Sequence, residues 1–298
     1  MLFGAALWAT QARATEAGPV RLRLWPGVPP GGGGPTGPER SDGGNVTNVS
    51  DPALTVYVPP NPNGTAMLVA AGGGYQRISM TGEAAPAVRW LTARGIIACV
   101  LTYRLPQEGW AVGPLAPLQD AQRAIRMMRA GRASAAIDPD RIGLLGFSAG
   151  GHLMGMTAAR SDEPSYAPVD EVDRQSAEVA TAALIYPVIT LLPPFDRTAT
   201  RISLVGTNPN LQQAMAWSVQ THVDDDTPPI FVVETQDDPI AKPENGEILA
   251  DACEDAQVPV QRLLLPRGGH GFAMGRTGSP SEKWPVFLET WLRARRLL

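Results

Sequence analysis

One serine stands between glycines in a setting that could make it a nucleophile. Ser148 is the central residue of Gly146-Phe147-Ser148-Ala149-Gly150, a G-x-S-x-G pattern that follows the apolar run at 142–145 and precedes a stretch rich in Ala and Met. In a strand-to-helix turn of this kind the glycines let the two backbones approach closely, which exposes the serine hydroxyl at the carboxyl edge of a sheet. A serine at a helix start can also serve only as an N-cap, but the whole pattern predicts a nucleophile.

A serine nucleophile needs a general base, and the chain contains three histidines. His152 comes one helical turn after Ser148, which favours a structural role near the serine. His222 precedes the acidic run at 224–226, which indicates a loop. His270 lies in a glycine-rich loop directly after an apolar run, where it could place its imidazole over the serine. We therefore predict that His270 is the base.

A carboxylate that orients the base is expected between the serine and the histidine in the chain. The apolar run at 230–233 is followed by Glu234-Thr235-Gln236-Asp237-Asp238-Pro239, which offers two adjacent aspartates at a strand end. An aspartate before proline is also a common turn residue. The residues alone leave the choice between Asp237 and Asp238 open.

Acyl transfer also requires N–H donors for the oxyanion that forms. Gly72-Gly73-Gly74 follows the apolar run at 66–70, where such a glycine loop would be placed. We predict that the oxyanion is bound by the N–H groups of Gly73, Gly74 and Ala149.

Short apolar runs and amphipathic stretches alternate along the chain and would position these residues. Helices are predicted at 118–132 and 282–295, and this alternation indicates a parallel sheet with helices on both faces. The Gly- and Pro-rich segment 26–44 is predicted to be a surface arm, and the segment 187–229, which lacks a clear period, a small cap over the site. Strands are predicted for most of the short apolar runs, which lie at 54–58, 66–70, 96–100, 142–145, 183–186, 230–233 and 260–264.

Length and composition narrow the function class. The 298 residues are 44% hydrophobic, which suits one domain over 20–298. A net charge of −4 without a basic tract argues against a nucleic-acid partner. Cys99 and Cys253 are predicted to be buried thiols, because no metal-ligand spacing joins them. No metal site is predicted, and the oligomeric state is not indicated.

Residues 1–19 begin with an apolar stretch followed by Ala12-Arg13-Ala14, which resembles the core and cleavage site of a secretory signal. A loose N-terminal helix is the alternative. We therefore expect a signal or leader remnant and a secreted or periplasmic location. No other apolar run approaches the ~20 residues of a membrane span.

The motifs together resemble those of α/β-hydrolase esterases of the bacterial acetyl-xylan and feruloyl esterase type, and the likeness covers nearly the whole chain. It rests on Leu24-Trp25-Pro26-Gly27, Gly72-Gly73-Gly74-Tyr75, Tyr103-Arg104-Leu105, Asp120-Ala121-Gln122-Arg123-Ala124, Ile137-Asp138-Pro139-Asp140-Arg141-Ile142-Gly143, Gly146-Phe147-Ser148-Ala149-Gly150-Gly151-His152-Leu153, Thr227-Pro228-Pro229 and Gly268-Gly269-His270-Gly271-Phe272.

The resemblance implies an α/β-hydrolase fold and Asp238, rather than Asp237, as the third member of the triad. It also implies a serine carboxylesterase that removes acetyl groups from acetylated xylan or its oligosaccharides without a metal or organic cofactor. Tyr75, Arg77, Arg104 and Trp217 are the candidates for lining a sugar-binding cleft, with ordinary packing as the alternative for each.

Three other functions share parts of this pattern. A feruloyl or general small-ester esterase would use the same residues. A peptidase of the prolyl-oligopeptidase kind has the same chain order but usually carries a propeller domain, for which the chain has no room. A hydrolase fold that only binds its ligand would not need the serine, histidine, aspartate and glycine loop, all of which are present.

Overall fold

Strands and helices alternate along residues 18–298, the part of the chain that the computed structural model describes. Most of the predicted leader, residues 1–17, lies outside the described residues. The strands are β1 (Val20–Arg23), β2 (Arg40–Asp42), β3 (Asn45–Thr47), β4 (Ala53–Tyr57), β5 (Ala66–Ala70), β6 (Ile78–Ser79), β7 (Ile97–Thr102), β8 (Ile142–Phe147), β9 (Thr181–Ile185), β10 (Ile230–Thr235) and β11 (Val260–Leu265). The α-helices are α1 (Ala85–Thr92), α2 (Leu115–Arg129), α3 (Ala149–Ala159), α4 (Ala199–Val205), α5 (Leu211–Ala216), α6 (Glu244–Asp255) and α7 (Trp284–Ala294).

Eight of these strands form one sheet in the order β1-β4-β7-β5-β8-β9-β10-β11. The β1–β4 and β4–β7 pairs are antiparallel, and every later pair is parallel. All residues of β5, β7, β8, β9 and β10 are buried, as expected for parallel strands covered on both faces. This explains why their sequences are continuous apolar runs. The prediction that most of the seven apolar runs form strands is confirmed, since each of them coincides with a strand.

Helices cover both faces of the sheet because the crossovers run in opposite directions. The chain passes from β5 to β7 through α1 and then back across β5 to β8 through α2. Since such crossovers are right-handed, α1 and α2 lie on opposite faces. α3 follows β8 in the same direction as α2 and packs on the same face, whereas an ion pair of 2.9 Å between Arg94 and Glu289 ties α7 to the α1 face. The predicted helices at 118–132 and 282–295 correspond to α2 and α7.

The Gly- and Pro-rich segment 26–44 is more ordered than a surface arm. It contributes β2 to a small antiparallel sheet of β2, β3 and β6, and Gly33 pairs with Trp110 in an isolated bridge. A Cβ atom at Gly34 would lie 2.5 Å from the Trp110 ring, so the segment packs closely on this indole. Because Gly33 and Gly34 have no side chains, the backbone of this segment can lie against Trp110.

The segment 187–229 contains α4, α5 and a short 3₁₀-helix, Val219–Thr221. Helix α4 is capped by Thr198, whose hydroxyl oxygen accepts from the Arg201 N–H. The Ser203 hydroxyl of α4 donates to the Gly74 carbonyl oxygen at 2.7 Å, so α4 is fixed on the glycine loop. Helix α4 therefore lies beside the glycine loop, which is the position predicted for a cap over the site.

Both cysteines are buried free thiols, as predicted. Within residues 18–298, the structure contains no helix that is both long and apolar enough for a membrane crossing.

Candidate active site

Ser148 occupies the turn between β8 and α3 in an unusual backbone conformation, with φ 52° and ψ −118°. A positive φ is costly for a residue with a side chain and persists only where the surroundings enforce it. The glycines enforce it here: a Cβ at Gly146 would lie 2.3 Å from the Gly150 carbonyl oxygen, and one at Gly150 would lie 2.2 Å from that of Ala70. The sequence pattern therefore produces a tight turn that holds the serine at the end of the strand.

Three of the predicted residues form one hydrogen-bonded chain. The Ser148 Oγ lies 2.8 Å from the His270 Nε2, and the His270 Nδ1 lies 2.8 Å from the Asp238 Oδ2. Because the carboxylate accepts, Nδ1 carries the hydrogen in the neutral ring, which leaves Nε2 to accept from the serine hydroxyl. The Asp238 Oδ1 accepts from the N–H groups of Ile240 and Ala241 at 2.8 and 3.0 Å. These donors hold the buried carboxylate in its orientation.

Asp237 has a different position from its neighbour. Its Oδ1 accepts from the N–H groups of Gly268 and Gly269 at 2.9 and 2.8 Å, at the start of the loop that carries His270. The backbone hydrogen bond from Gly269 lowers the pKa of the Asp237 carboxyl. The structure thus places Asp238, and not Asp237, against the imidazole.

The glycine loop lies directly beside Ser148. A Cβ at Gly72 would lie 2.7 Å from the Ser148 Cβ. Gly73 and Gly74 have φ values of +128° and +66°, and no acceptor within residues 18–298 binds their N–H groups. Ala149 is the first residue of α3, where an N–H has no partner within the helix and the helix dipole favours negative charge. The three predicted donors therefore have N–H groups available near the serine.

A cavity of about 300 Å³ opens over Ser148 and His270. The glycine loop forms one wall, and residues of the cap form another. The lining residues are Asn45, Gly73, Gly74, Gln76, Arg77, Ser79, Glu83, Ser148, Val188, Thr198, Ala199, Thr200, Ile240 and His270.

Among the four residues predicted to line a sugar-binding cleft, Arg77 alone borders this cavity, where its side chain is exposed. The prediction for Arg104 is wrong, because its guanidinium is fully buried in an ion pair of 2.9 Å with Asp120. It also donates to the carbonyl oxygens of Pro30 and Ala116 at 3.0 and 3.1 Å. Arg104 thus fixes the glycine-rich segment to α2.

The predictions for Tyr75 and Trp217 are also wrong, because both bind His152 instead of lining the cavity. The buried Tyr75 hydroxyl lies 2.9 Å from the His152 Nδ1, and the Trp217 carbonyl oxygen lies 2.8 Å from the Nε2. The half-buried Trp217 ring packs on the Arg160 guanidinium, whose carbon lies 5.2 Å from the ring centroid. The structural role predicted for His152 is thus explained: it connects the residue after the glycine loop to the cap.

His152 is held as a neutral ring. Burial lowers its pKa to about 4. The Trp217 carbonyl can only accept, so Nε2 carries the hydrogen and Nδ1 accepts from the Tyr75 hydroxyl. The third histidine, His222, bonds the Ala216 carbonyl oxygen at 3.0 Å and does not border the cavity.

Glu83 borders the cavity, and the sequence analysis did not identify it. It lies in the π-helix Met80–Ala84, a rare wide turn that is frequent at functional sites. Its side chain is buried, and burial raises the pKa of its carboxyl. A single glutamate next to Thr81 and Gly82 is typical of a solvated residue, and nothing in the local sequence marks it as part of the site.

A mostly parallel sheet, a serine at a strand-to-helix turn and a histidine after the last strand define the α/β-hydrolase class. The family model described as BD-FAE matches residues 54–253, and the chain belongs to this family.

Two bacterial proteins and one solved structure are similar to this chain. The chain is 33% identical to endo-1,4-beta-xylanase B of Butyrivibrio fibrisolvens over 70% of this chain and 32% of the xylanase. It is 27% identical to an acetylxylan esterase of Xylanibacter ruminicola over 84% of this chain and 50% of the esterase. The chain therefore spans a third to a half of these relatives. An acetyl ester-xyloside bifunctional hydrolase from Caldicellulosiruptor lactoaceticus superposes with a TM-score of 0.74, at 31% identity, over 91% of this chain and 98% of that one.

Proposed function

We propose that this protein is a serine carboxylesterase that removes acetyl groups from carbohydrate such as acetylated xylan or xylo-oligosaccharides. The observation that carries the proposal is the series of hydrogen bonds from Ser148 through His270 to Asp238, in which Ser148 and His270 line the 300 Å³ cavity. The similarity to an acetylxylan esterase and to an acetyl ester-xyloside hydrolase supports the choice of substrate.

The first half-reaction transfers the acetyl group to the enzyme. The Ser148 Oγ attacks the ester carbonyl carbon while the His270 Nε2 takes the hydroxyl proton. Asp238 stabilises the imidazolium that forms, and the N–H groups of Gly73, Gly74 and Ala149 bind the negative charge on the carbonyl oxygen. The bond between the carbonyl carbon and the sugar oxygen then breaks, and the His270 imidazolium donates its proton to that oxygen, so the sugar leaves with a free hydroxyl group.

The second half-reaction releases acetate. Water gives a proton to His270 and attacks the acyl carbon of the acetyl-serine. The tetrahedral intermediate collapses, and Ser148 regains its proton from the imidazolium. Every step uses groups of the chain and water.

The size of the cavity favours a short acyl group. Small-molecule sites typically occupy about 300–1,000 Å³, so this one lies at the lower limit. Its lining of Asn, Gln, Arg, Ser and Thr side chains suits the hydroxyl groups of a sugar.

The proposal is tested by measuring acetate and ferulate released from acetylated and feruloylated xylo-oligosaccharides by the wild type and by Ser148→Ala. We expect acetate from the wild type and essentially none from the variant. A fluorophosphonate probe should label the wild type and not Ser148→Ala. Ferulate release that exceeds acetate release would support the feruloyl esterase instead, and turnover retained by a folded Ser148→Ala would refute the mechanism.

A secreted or periplasmic location is also part of the proposal. It is supported by the apolar residues near the N-terminus and by the size of a polysaccharide substrate. Fractionation of the producing cells followed by N-terminal sequencing would test it: the mature protein should be found outside the cytoplasm and should lack the apolar stretch.

A further inference from the structure

The carboxylate of Glu83 connects two loops of the proposed site. Its Oε2 accepts from the N–H of Gly72, in the glycine loop, at 2.5 Å. Its Oε1 accepts from the Tyr186 hydroxyl at 2.9 Å. The side chain is 8% exposed and borders the same cavity as Ser148 and His270. The proposed reaction does not yet give this buried acid a role.

Tyr186 continues the connection to the histidine loop. Its hydroxyl accepts from the N–H of Ala273 at 3.1 Å, and its ring lies edge-on to His270 with centroids 4.9 Å apart. The residue has φ 40°, a backbone conformation that residues with side chains rarely adopt. Hydrogen bonds therefore run without a break from Gly72 through Glu83 and Tyr186 to Ala273, in the loop that carries His270. We call this series of hydrogen bonds the path.

The hydrogen bonds match an ionised carboxylate. The Ala273 N–H occupies one acceptor position of the Tyr186 oxygen, so the tyrosine hydrogen is directed to Glu83, and both carboxylate oxygens face donors. A protonated carboxyl would have to donate to the same tyrosine oxygen and would leave the tyrosine hydrogen without this acceptor. Ionisation therefore satisfies every group in the path.

Charges around Glu83 and His270 act on both groups. Burial raises the pKa of Glu83, whereas the Gly72 and Tyr186 hydrogen bonds and the charges of His270 and Arg77 oppose the rise. The titratable and charged groups that face this pair are Arg77, Tyr103, Tyr186, Asp238 and Arg276.

We propose that Glu83 is a positioning residue of the esterase, whose ionised carboxylate aligns the glycine loop with the histidine loop and favours the imidazolium form of His270. The inference rests on the proposed function, in which His270 is the base. Attraction between opposite charges stabilises an imidazolium beside a carboxylate. Without this charge the imidazolium of His270 in the free enzyme loses its proton more easily, so the enzyme stays active at lower pH while its maximal rate falls.

Glu83→Gln is the direct test. The glutamine oxygen can accept from Gly72 and its amide can donate to the Tyr186 oxygen, so the shape is kept, while the charge and the acceptor of the tyrosine hydrogen are lost. We expect kcat on p-nitrophenyl acetate to fall by about tenfold, with KM changed less, and the acidic limb of the kcat/KM profile to move about one pH unit lower.

One control variant and one further test variant accompany Glu83→Gln. Glu108→Gln is the matched change, because Glu108 also accepts from two backbone N–H groups, those of Asn48 and Val49, and its pKa is also raised by burial. It does not border the cavity and should leave the acidic limb unchanged. Tyr186→Phe removes the connection to Ala273 and should lower kcat.

The outcomes separate this inference from the proposed function. A folded Glu83→Gln with wild-type kcat and an unmoved acidic limb would overturn the inference alone, since loss of activity in Ser148→Ala would still support the esterase. If Glu83→Gln fails to fold, as judged by circular dichroism, Glu83→Asp takes its place, because aspartate keeps the charge on a shorter side chain. A reduced kcat with an unmoved limb in Glu83→Asp would support the inference, and either a wild-type kcat or a shifted limb would overturn it.

Discussion

Asp237 and Asp238 are adjacent in the chain and both bind the loop that carries His270, but they bind different groups of it. Asp238 accepts from the imidazole at 2.8 Å, whereas Asp237 accepts from the N–H groups of Gly268 and Gly269. One aspartate thus orients the ring and the other shapes the backbone beneath it. This division of roles leads to the first prediction.

Asp238→Asn should lower kcat on p-nitrophenyl acetate by about 10⁴-fold, the loss seen when the equivalent aspartate is replaced in a serine protease. Asparagine at this position favours the wrong tautomer of His270 and cannot stabilise the imidazolium. Asp237→Asn keeps an oxygen that can accept from both glycines and should cost tenfold or less. Circular dichroism must show that both variants are folded. A severe loss in Asp237→Asn with near-normal Asp238→Asn would reverse the two roles.

The proposed esterase should prefer short acyl chains, because a cavity of about 300 Å³ has little room for a long one. Across p-nitrophenyl esters from acetate to dodecanoate, kcat/KM should fall by about tenfold or more. Initial rates below the critical micelle concentration of each ester provide the measurement. A steady rise of kcat/KM with chain length would indicate a lipase-like enzyme.

Arg104→Met should destabilise the protein without a specific effect on substrate affinity. The substitution leaves Asp120 buried without its ion-pair partner, which typically costs about 3–5 kcal/mol of unfolding free energy. Arg77→Met is the matched variant, because Arg77 is exposed at the cavity and should change stability by about 0.5 kcal/mol or less while raising KM for xylo-oligosaccharides. Urea unfolding and initial rates distinguish the two. Normal stability of Arg104→Met would contradict the role assigned to its ion pair.

The stability of the wild type should decrease below neutral pH because of His152. The unfolded chain binds a proton on this histidine near pH 6.5, whereas the folded chain binds it only near pH 4. Acid therefore favours the unfolded state in this window, by about 2 kcal/mol between pH 8 and pH 5.

Urea unfolding of the wild type and of His152→Gln at pH 5 to 8 measures this effect. The variant lacks the titrating group and should lose about 2 kcal/mol less than the wild type over the same range. His222→Gln, at a half-buried surface position, is the control and should change the pH dependence less. Parallel curves for wild type and His152→Gln would show that His152 does not carry the effect.

The sequence predicted the parts of the site that depend on local pattern. Ser148 is recognisable because the strand, the turn and the helix are contiguous, and His270 because the chain has three histidines and a single one follows a strand in a glycine loop. The buried strands were predictable for the same reason, since each is a continuous apolar run. The short strands β2 and β6 were not, because they hold few residues and much of their stability comes from pairing with β3.

The errors concern residues whose environment is set by distant contacts. An arginine or a tyrosine next to a glycine loop has the same sequence signature whether it faces a substrate or the interior. Arg104 is interior because Asp120 and Pro30 receive its guanidinium, and Tyr75 because His152 receives its hydroxyl. Glu83 was missed since its burial depends on Tyr186, about a hundred residues later.

The edge position of β11 has a consequence for how the protein would lose activity. β11 pairs with β10 alone in the sheet order, most of its residues are only half-buried, and the His270 loop leaves directly from its end. Edge elements of this kind open with a lower free energy than central strands. Inactivation on heating would then begin with partial opening of this edge while the centre of the sheet stays folded. The functional half-life would be set by the contacts of β11 with β10 and α6. Substitutions that strengthen β5 or β8 would raise the melting temperature but would not lengthen this half-life.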